Sequence, residues 1–399
     1  MPDKGLPSEF TINDLFPEGT KVLLTGGGKD FIERIGVEAA RRAVLNVMMG
    51  ENIRTQTEPL TRQRIAQISG ALVALFARGH SEIEGFTNYL SKIAVRQIQV
   101  SRKNDNASMW PAQWLLGLTG KSVQNVLRSD PELMAEYVRD FEAAIQESSE
   151  KCRHEMGDLT MTLGFAEDAD GRRVELDWRD ITRLTTAIGS QTLTIRGSDK
   201  SIYGKLFERL VLGSALTVLD FQRVRSGTNA RTNKVFWLSD SSDLRESDAT
   251  LLVTPGKLAR FDIGFIGPGN SEISNDKLSR YARELETAGG RHSSVTFIVV
   301  DRLPTTSKTR DAASRIGAEI IQMSMQYWPQ DLARRLGQRL GVEHSLQTMP
   351  QGEIRDYLST RLATIPIQDF LSDVSLADLE KDAELPEVKD EIEWVEDEE

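Results

Sequence analysis

Apolar residues return every three or four positions through most of the first 190 residues, the period of a helix with one buried face. In FIERIGVEAARRAVLNVMMG, Ile32, Ile35, Ala39, Val44 and Val47 fall near one side before Gly50 ends the run. TRQRIAQISGALVALFARG repeats the device, with Ile65, Ile68, Leu72, Leu75 and Phe76 on a stripe closed by Gly79. Segments 82–98, 110–128 and 131–150 continue it, and Ser129-Asp130-Pro131 divides the last two. The period loosens near residue 160, where MTLGF and EDADGRRV read as a strand or loop with a turn. LDWRDITRLTTAIGSQTL then returns to helix. From about residue 200 helix and strand signals alternate. SIYGKLFERLVLGSALTVL is an amphipathic helix burying Phe207, Leu210, Val211 and Leu216. Strand-like runs follow at 234–238, 248–253, 260–266 and 295–301, then a helical stretch over 308–317, a short EIIQM strand and a helix over 328–340. That order predicts a mixed sheet flanked by helices. The chain therefore divides into an all-helical N-terminal domain over 1–190, an α/β domain over 191–345, and a C-terminal helix with an acidic tail over 346–399.

Composition adds constraints. At 399 residues, 39% hydrophobic and 27% charged, the chain is an ordinary globular protein long enough for two domains. No stretch nears the roughly 18 uninterrupted apolar residues of a membrane span, and the start MPDKGLPSEF has no basic-then-apolar leader. A single cysteine, Cys152, leaves no disulfide framework and no cysteine zinc site within one chain. A cytoplasmic protein with no membrane partner is expected. The net charge of −11 looks hostile to nucleic acid, but 13 acidic residues and two lysines between Asp373 and Glu399 hold the whole excess. Positions 1–372 carry 47 basic and 47 acidic residues, so DNA is not excluded as a partner. The tail itself reads as solvated chain, since like charges repel and little of it is apolar.

The chemistry concentrates in ESDATLLVTPGKLARFDIGFIG. Asp248 opens one strand and Asp262 sits inside the next, across the Pro255-Gly256 turn. Strand interiors deplete aspartate, and a carboxylate held there needs a partner against desolvation, either a hydrogen-bond donor or a cation. Glu208 lies within an otherwise apolar helix, directly after Phe207. Carboxylates converging from rigid elements are what hard divalent metals require, and such metals serve every step of phosphodiester cutting. The loop QRVRSGTNARTNKVF carries Arg223, Arg225, Arg231 and Lys234 with no acid among them, a composition suited to phosphate and base-edge contacts. Arg96, Arg102 and Lys103 form a weaker basic patch.

Other motifs fail. TGGGKDF has neither the first glycine nor the Ser/Thr of a phosphate-binding loop and reads as a turn. The histidines at 80, 154, 292 and 344 are scattered and form no metal-binding pattern. Trp110, Trp114, Trp178, Trp237 and Trp328 read as core packing.

A helix glutamate followed by acids on two adjacent strands resembles the PD-(D/E)XK nuclease core. More specifically, RGSDKSIYGKLFERLVLGSAL, RESDATLL and RFDIGFIGPGNSEISNDKLSRYARE are similar to the CfrBI-type type II restriction endonucleases, and QMSMQYWP and the N-terminal helices share the likeness. The resemblance implies Mg²⁺-dependent cleavage of double-stranded DNA at a short palindrome of the CCWWGG kind. It also implies a cognate DNA methyltransferase that protects the host without being a physical partner. A palindromic target implies a homodimer. Asp248 and Asp262 would then bind Mg²⁺, with Glu208 assisting and Glu272 available to join the metal shell. One departure stands out: the signature places lysine two residues after the second acid, where this chain has Gly264. Lys277, in the helix that Ser274 or Asn275 can cap, is the natural substitute, and Lys257 in the turn is the alternative. Gly264 also keeps open a catalytically inactive DNA-binding or interaction module of the same fold, and a structure-specific repair nuclease is a further alternative.

Overall fold

The computed structural model describes residues 11–102, 105–119, 130–164, 173–225, 233–239, 247–265, 293–301 and 318–381. The N-terminal region is helical as the apolar period predicts: α1 (Ile12–Leu15), α2 (Glu18–Thr25), α3 (Gly28–Ile35), α4 (Val37–Met48), α5 (Ile53–Glu82), α6 (Phe86–Val100), α7 (Asn106–Leu115) and α8 (Pro131–Met156). The run over 31–50 is two helices rather than one. Gly36, at φ +127°, takes a conformation that L side chains rarely adopt and turns the chain between α3 and α4. The predicted helix over 110–128 is α7, beginning earlier, and its second half lies outside the described residues. Trp110, Trp114, Trp178 and Trp328 are buried, whereas Trp237 is half-buried.

A hairpin of β1 (Met161–Gly164) and β2 (Arg173–Leu176) leads into α9 (Trp178–Val218). This helix replaces two that the sequence pattern suggests. At 41 residues it is about 60 Å long, and position 190 lies within it. The polar turn TIRGSDK does not break it because Ile195 and Ile202 keep the apolar stripe in phase, both fully buried. Asp177 and Asp180 form a capping box at its start. The helix packs on α4, α5, α7 and α8 and on strands β3, β4 and β6 of the main sheet.

The main sheet is mixed, as predicted, in the order β3 (Gln222–Arg223), β4 (Val235–Leu238), β5 (Ala249–Thr254), β6 (Lys257–Gly264), β7 (Ser293–Val300), β8 (Glu319–Gln322). β3 and β4 are parallel, β4–β5 and β5–β6 antiparallel, and β6–β7 and β7–β8 parallel. The segment from 222 is not all loop: Gln222 and Arg223 pair with Val235 and Phe236. Helix α10 (Trp328–Leu340) packs on β8, and α11 (Gln351–Thr364) packs on α4 and α9. One hydrophobic core runs unbroken from Ile12 through the sheet to Leu379. Among the described residues no helix is long and apolar enough to cross a membrane.

The C-terminal segment corrects the reading of solvated tail for residues 373–381, and the acidic remainder, 382–399, lies outside the described residues. A short 3₁₀ turn, Ile367–Leu371, docks against α3 and α9, and helix α12 (Leu376–Lys381) against α2 and α9. Ser375 bridges Gly27, with the Gly28 N–H donating to the Val374 carbonyl at 2.7 Å and the Leu376 N–H to the Gly26 carbonyl at 3.1 Å. A Cβ on Gly28 would meet Leu371 at 3.1 Å and Leu206 at 3.3 Å, so the glycine-rich turn serves close packing. Counting acids hid the apolar trio Val374, Leu376 and Leu379, all buried. A chain ending at Lys381 keeps these contacts, whereas one ending at Ser372 is expected to melt more than about 5 °C lower, measurable by differential scanning fluorimetry.

Candidate active site

Strand alternation decides which side chains share a face. In β5, Ala249, Leu251 and Val253 are buried, and in β6 the buried set is Ala259, Phe261 and Ile263. The register pairs Ala249 with Phe261 and Thr250 with Arg260. Extending that register one step past its last pair puts position 248 across from position 262, and both aspartates alternate with the buried set and are half-buried. Two aspartates placed 14 positions apart in sequence are therefore cross-strand neighbours at one end of the hairpin. The Asp248 carboxylate also does structural work: its Oδ2 accepts the Ile263 N–H at 2.7 Å, extending the ladder beyond the end of β5.

Glu208 lies on α9, which packs against β6, and is half-buried beside the buried Phe207 and Leu210. Among the described residues no three His, Cys, Asp or Glu side chains are gathered as a metal-binding group. The strand register thus puts Asp248 and Asp262 at the same end of β5 and β6 and leaves Glu208 on the neighbouring helix. Two carboxylates suit a hard, oxygen-seeking divalent ion that keeps water or substrate oxygens in its remaining positions. Glu272 and Lys277 lie outside the described residues.

Gly264 ends β6, buried, on the same face as Asp262, where a lysine would point at the carboxylate pair. Lys257 points elsewhere. It is five residues from Asp262, about 16 Å along the strand and on the opposite face, and its Nζ donates to the Leu340 carbonyl at 3.2 Å, at the end of α10. Arg260 is a residue that sequence reasoning missed. It is exposed, shares the face of Asp262 two positions away, and stands across from Thr250. The i, i+2 spacing of Arg260 and Asp262 within the predicted strand over 260–266 carried that signal.

The basic segment splits. Arg223 is committed to the C-terminal segment: it donates to the Asp369 carbonyl, pairs with Asp373 at 2.9 Å and lies over the Phe370 ring at 5.9 Å. Arg225 and Lys234 are exposed, Lys234 at a positive φ of 59° where the chain turns into β4. Arg231 lies outside the described residues. Lys234 neighbours His344, whose side chain is 4% exposed. Burial first holds that imidazole below its ordinary range; Asp220, 3.4 Å away, pulls the other way, and Arg361 and Lys234 add to the lowering. The folded pKa lies below the unfolded one, so the stabilisation is complete above about pH 6.5 and is lost as pH falls through the folded value. Melting temperature is expected to fall on acidification from about pH 7 to about pH 5, and His344→Asn to flatten that fall in a fluorimetric titration.

A carboxylate pair on one strand end, with exposed arginine and lysine on the same sheet, is a donor set suited to phosphodiester chemistry. The sequence profile of the CfrBI restriction endonuclease family matches residues 37–308. The chain is also similar to the type II restriction enzyme CfrBI of Citrobacter freundii, with 31% identity over 371 residues, covering 91% of this chain and 99% of that protein. The chain belongs to the CfrBI restriction endonuclease family. No solved structure matches it.

Proposed function

We propose that this chain is a Mg²⁺-dependent type II restriction endonuclease whose cutting centre is built on Asp248 and Asp262. The target is a short palindrome in double-stranded DNA, of the CCWWGG kind that the family resemblance implies, met by a homodimer. The observation that carries the reading is the cross-strand placement of the two aspartates at the open end of the β5–β6 hairpin. Membership of a restriction enzyme family fixes the chemistry as nucleolytic, and the donor set fits the PD-(D/E)XK plan in its two strand acids. When bound, Mg²⁺ supplies charge neutralisation on the scissile phosphate and a water acidic enough to act as nucleophile. Asp248 and Asp262 hold the ion, Glu208 assists from α9, and Glu272 is a further carboxylate for the shell. Lys277 orients the attacking water and offsets phosphate charge, the role left open by Gly264. Arg225, Arg231 and Lys234 contact DNA from the segment between β3 and β4, and exposed Arg260 adds a cation on the cutting face. Arg223 is tied to the C-terminal segment instead.

Incubating the purified chain with a long plasmid, with and without Mg²⁺, tests the reading. Discrete fragments whose sequenced ends share one palindrome are expected only with the metal. Scattered ends would favour a structure-specific nuclease, and intact plasmid with retained binding an inactive module. For the lysine, Lys277→Ala and Lys277→Arg are both expected to lose about nine-tenths of the rate or more while still binding DNA, because a planar fork does not replace a compact ammonium. Lys257→Ala should cut nearly normally in the same assay. An inactive Lys257→Ala beside an active Lys277→Ala would reverse the assignment.

A further inference from the structure

The end of β5 that carries Asp248 is held by more than the sheet. Ser239, the residue after β4, extends the β4–β5 ladder: its N–H donates to the Asp248 carbonyl at 3.1 Å, and its Oγ donates to the Ser247 carbonyl. The Ser239 carbonyl in turn accepts a hydrogen bond from Nη1 of Arg209. Nε of the same guanidinium donates to the Phe370 carbonyl at 3.2 Å. Arg209 is half-buried on α9, next to Glu208, and so stands between the docked C-terminal segment and the strand end. The seat for that segment is built into α9. Gly213, one turn beyond Arg209, has no side chain, and a Cβ there would come within 2.8 Å of the Phe370 ring.

We propose that Arg209 is a positioning residue for cleavage, holding Ser239 and through it Asp248 in place against the C-terminal segment. Its part is to fix the strand end so that the Asp248 carboxylate, already tied to the Ile263 N–H, stays opposite Asp262. The guanidinium suits the task because its planar fork donates in two fixed directions at once, which a lysine cannot reproduce. The same segment grips Arg223 at the head of the DNA-contacting loop, so residues 369–373 anchor both the cutting strand and the binding segment.

The inference rests on the reading of Asp248 as a metal-binding group, and the test separates the two. Full-length Arg209→Gln, Arg209→Lys and Ser239→Ala would be assayed on the plasmid cut by the wild type, at saturating DNA, over a series of Mg²⁺ concentrations. The Mg²⁺ needed for half-maximal rate should rise about tenfold for Arg209→Gln, as when an outer-shell partner is lost. Arg209→Lys and Ser239→Ala should shift it in the same direction by less, with DNA affinity and melting temperature little changed. A merely structural arginine would lower melting temperature without moving the Mg²⁺ dependence. Wild-type Mg²⁺ dependence in folded Arg209→Lys would overturn the proposal, and that variant decides it should Arg209→Gln not fold. Ser239→Ala, which keeps both backbone links, reports only on the added Oγ bond. Asp248→Asn is measured alongside: full activity there would bring down the metal-site reading itself, whereas an inactive Asp248→Asn with unmoved Arg209 and Ser239 variants would remove only the positioning role.

Discussion

Asp248→Asn and Asp262→Asn are each expected to cut plasmid at less than about one hundredth of the wild-type rate while binding specific DNA as before. Loss of a metal-holding carboxylate withdraws several kcal/mol from the transition state, and each 1.36 kcal/mol is about tenfold in rate. Asparagine is the informative substitution at 248. Its amide oxygen can still accept the Ile263 N–H, so the strand end keeps its hydrogen bond while the charge disappears. Asp248→Ala removes both and should cost a further ~1 kcal/mol of stability, a lost hydrogen bond at a half-buried site. Quench-flow or gel-based rates with a parallel binding assay would show this, and more than about a tenth of wild-type rate in either asparagine variant would sink the assignment.

The largest loss of stability is expected at Asp199. It is buried in α9 and paired with Arg64 of α5, itself fully buried. Arg64 also donates from Nε and Nη2 to the Leu23 carbonyl at 2.9 and 2.6 Å and lies over Phe31 at 5.3 Å, so one guanidinium joins α2, α3, α5 and α9. Removing the carboxylate leaves a buried cation with no ionic partner, a change of about 3–5 kcal/mol. Asp199→Ala should therefore shift the urea midpoint sharply. Glu58→Gln, which removes the surface pairs of half-buried Glu58 with Arg196 and Arg62, should shift it by no more than about 1 kcal/mol. Equal midpoints for the two variants would contradict the buried-pair account.

The helical region and the strands of the sheet were legible because each carries its own period. What escaped depends on partners distant in sequence. The continuity of α9 through TIRGSDK depends on Asp199 finding Arg64, 135 positions away. β3 exists only because Gln222 and Arg223 find Val235 and Phe236. The docking of residues 373–381 was masked by their charge, since three apolar side chains among acids make no visible stripe until α9 supplies the other surface. At the site, Asp248 and Asp262 were legible as charges interrupting apolar strands. The contacts of Ser239 and Arg209 and the face taken by Arg260 were not, because an arginine in a sequence does not announce which carbonyl or which face it will meet.

The claim that Asp248 and Asp262 jointly hold a divalent ion for DNA cutting is tested most directly by a crystal structure. The complex would contain the full chain, Ca²⁺ and a duplex bearing the sequence recovered from the plasmid ends. The expected result is an ion about 2.3–2.6 Å from an oxygen of each aspartate and from an oxygen of the phosphate at the cleavage position. A phosphate seated at another part of the sheet, or an ion bound there without either aspartate, would contradict it.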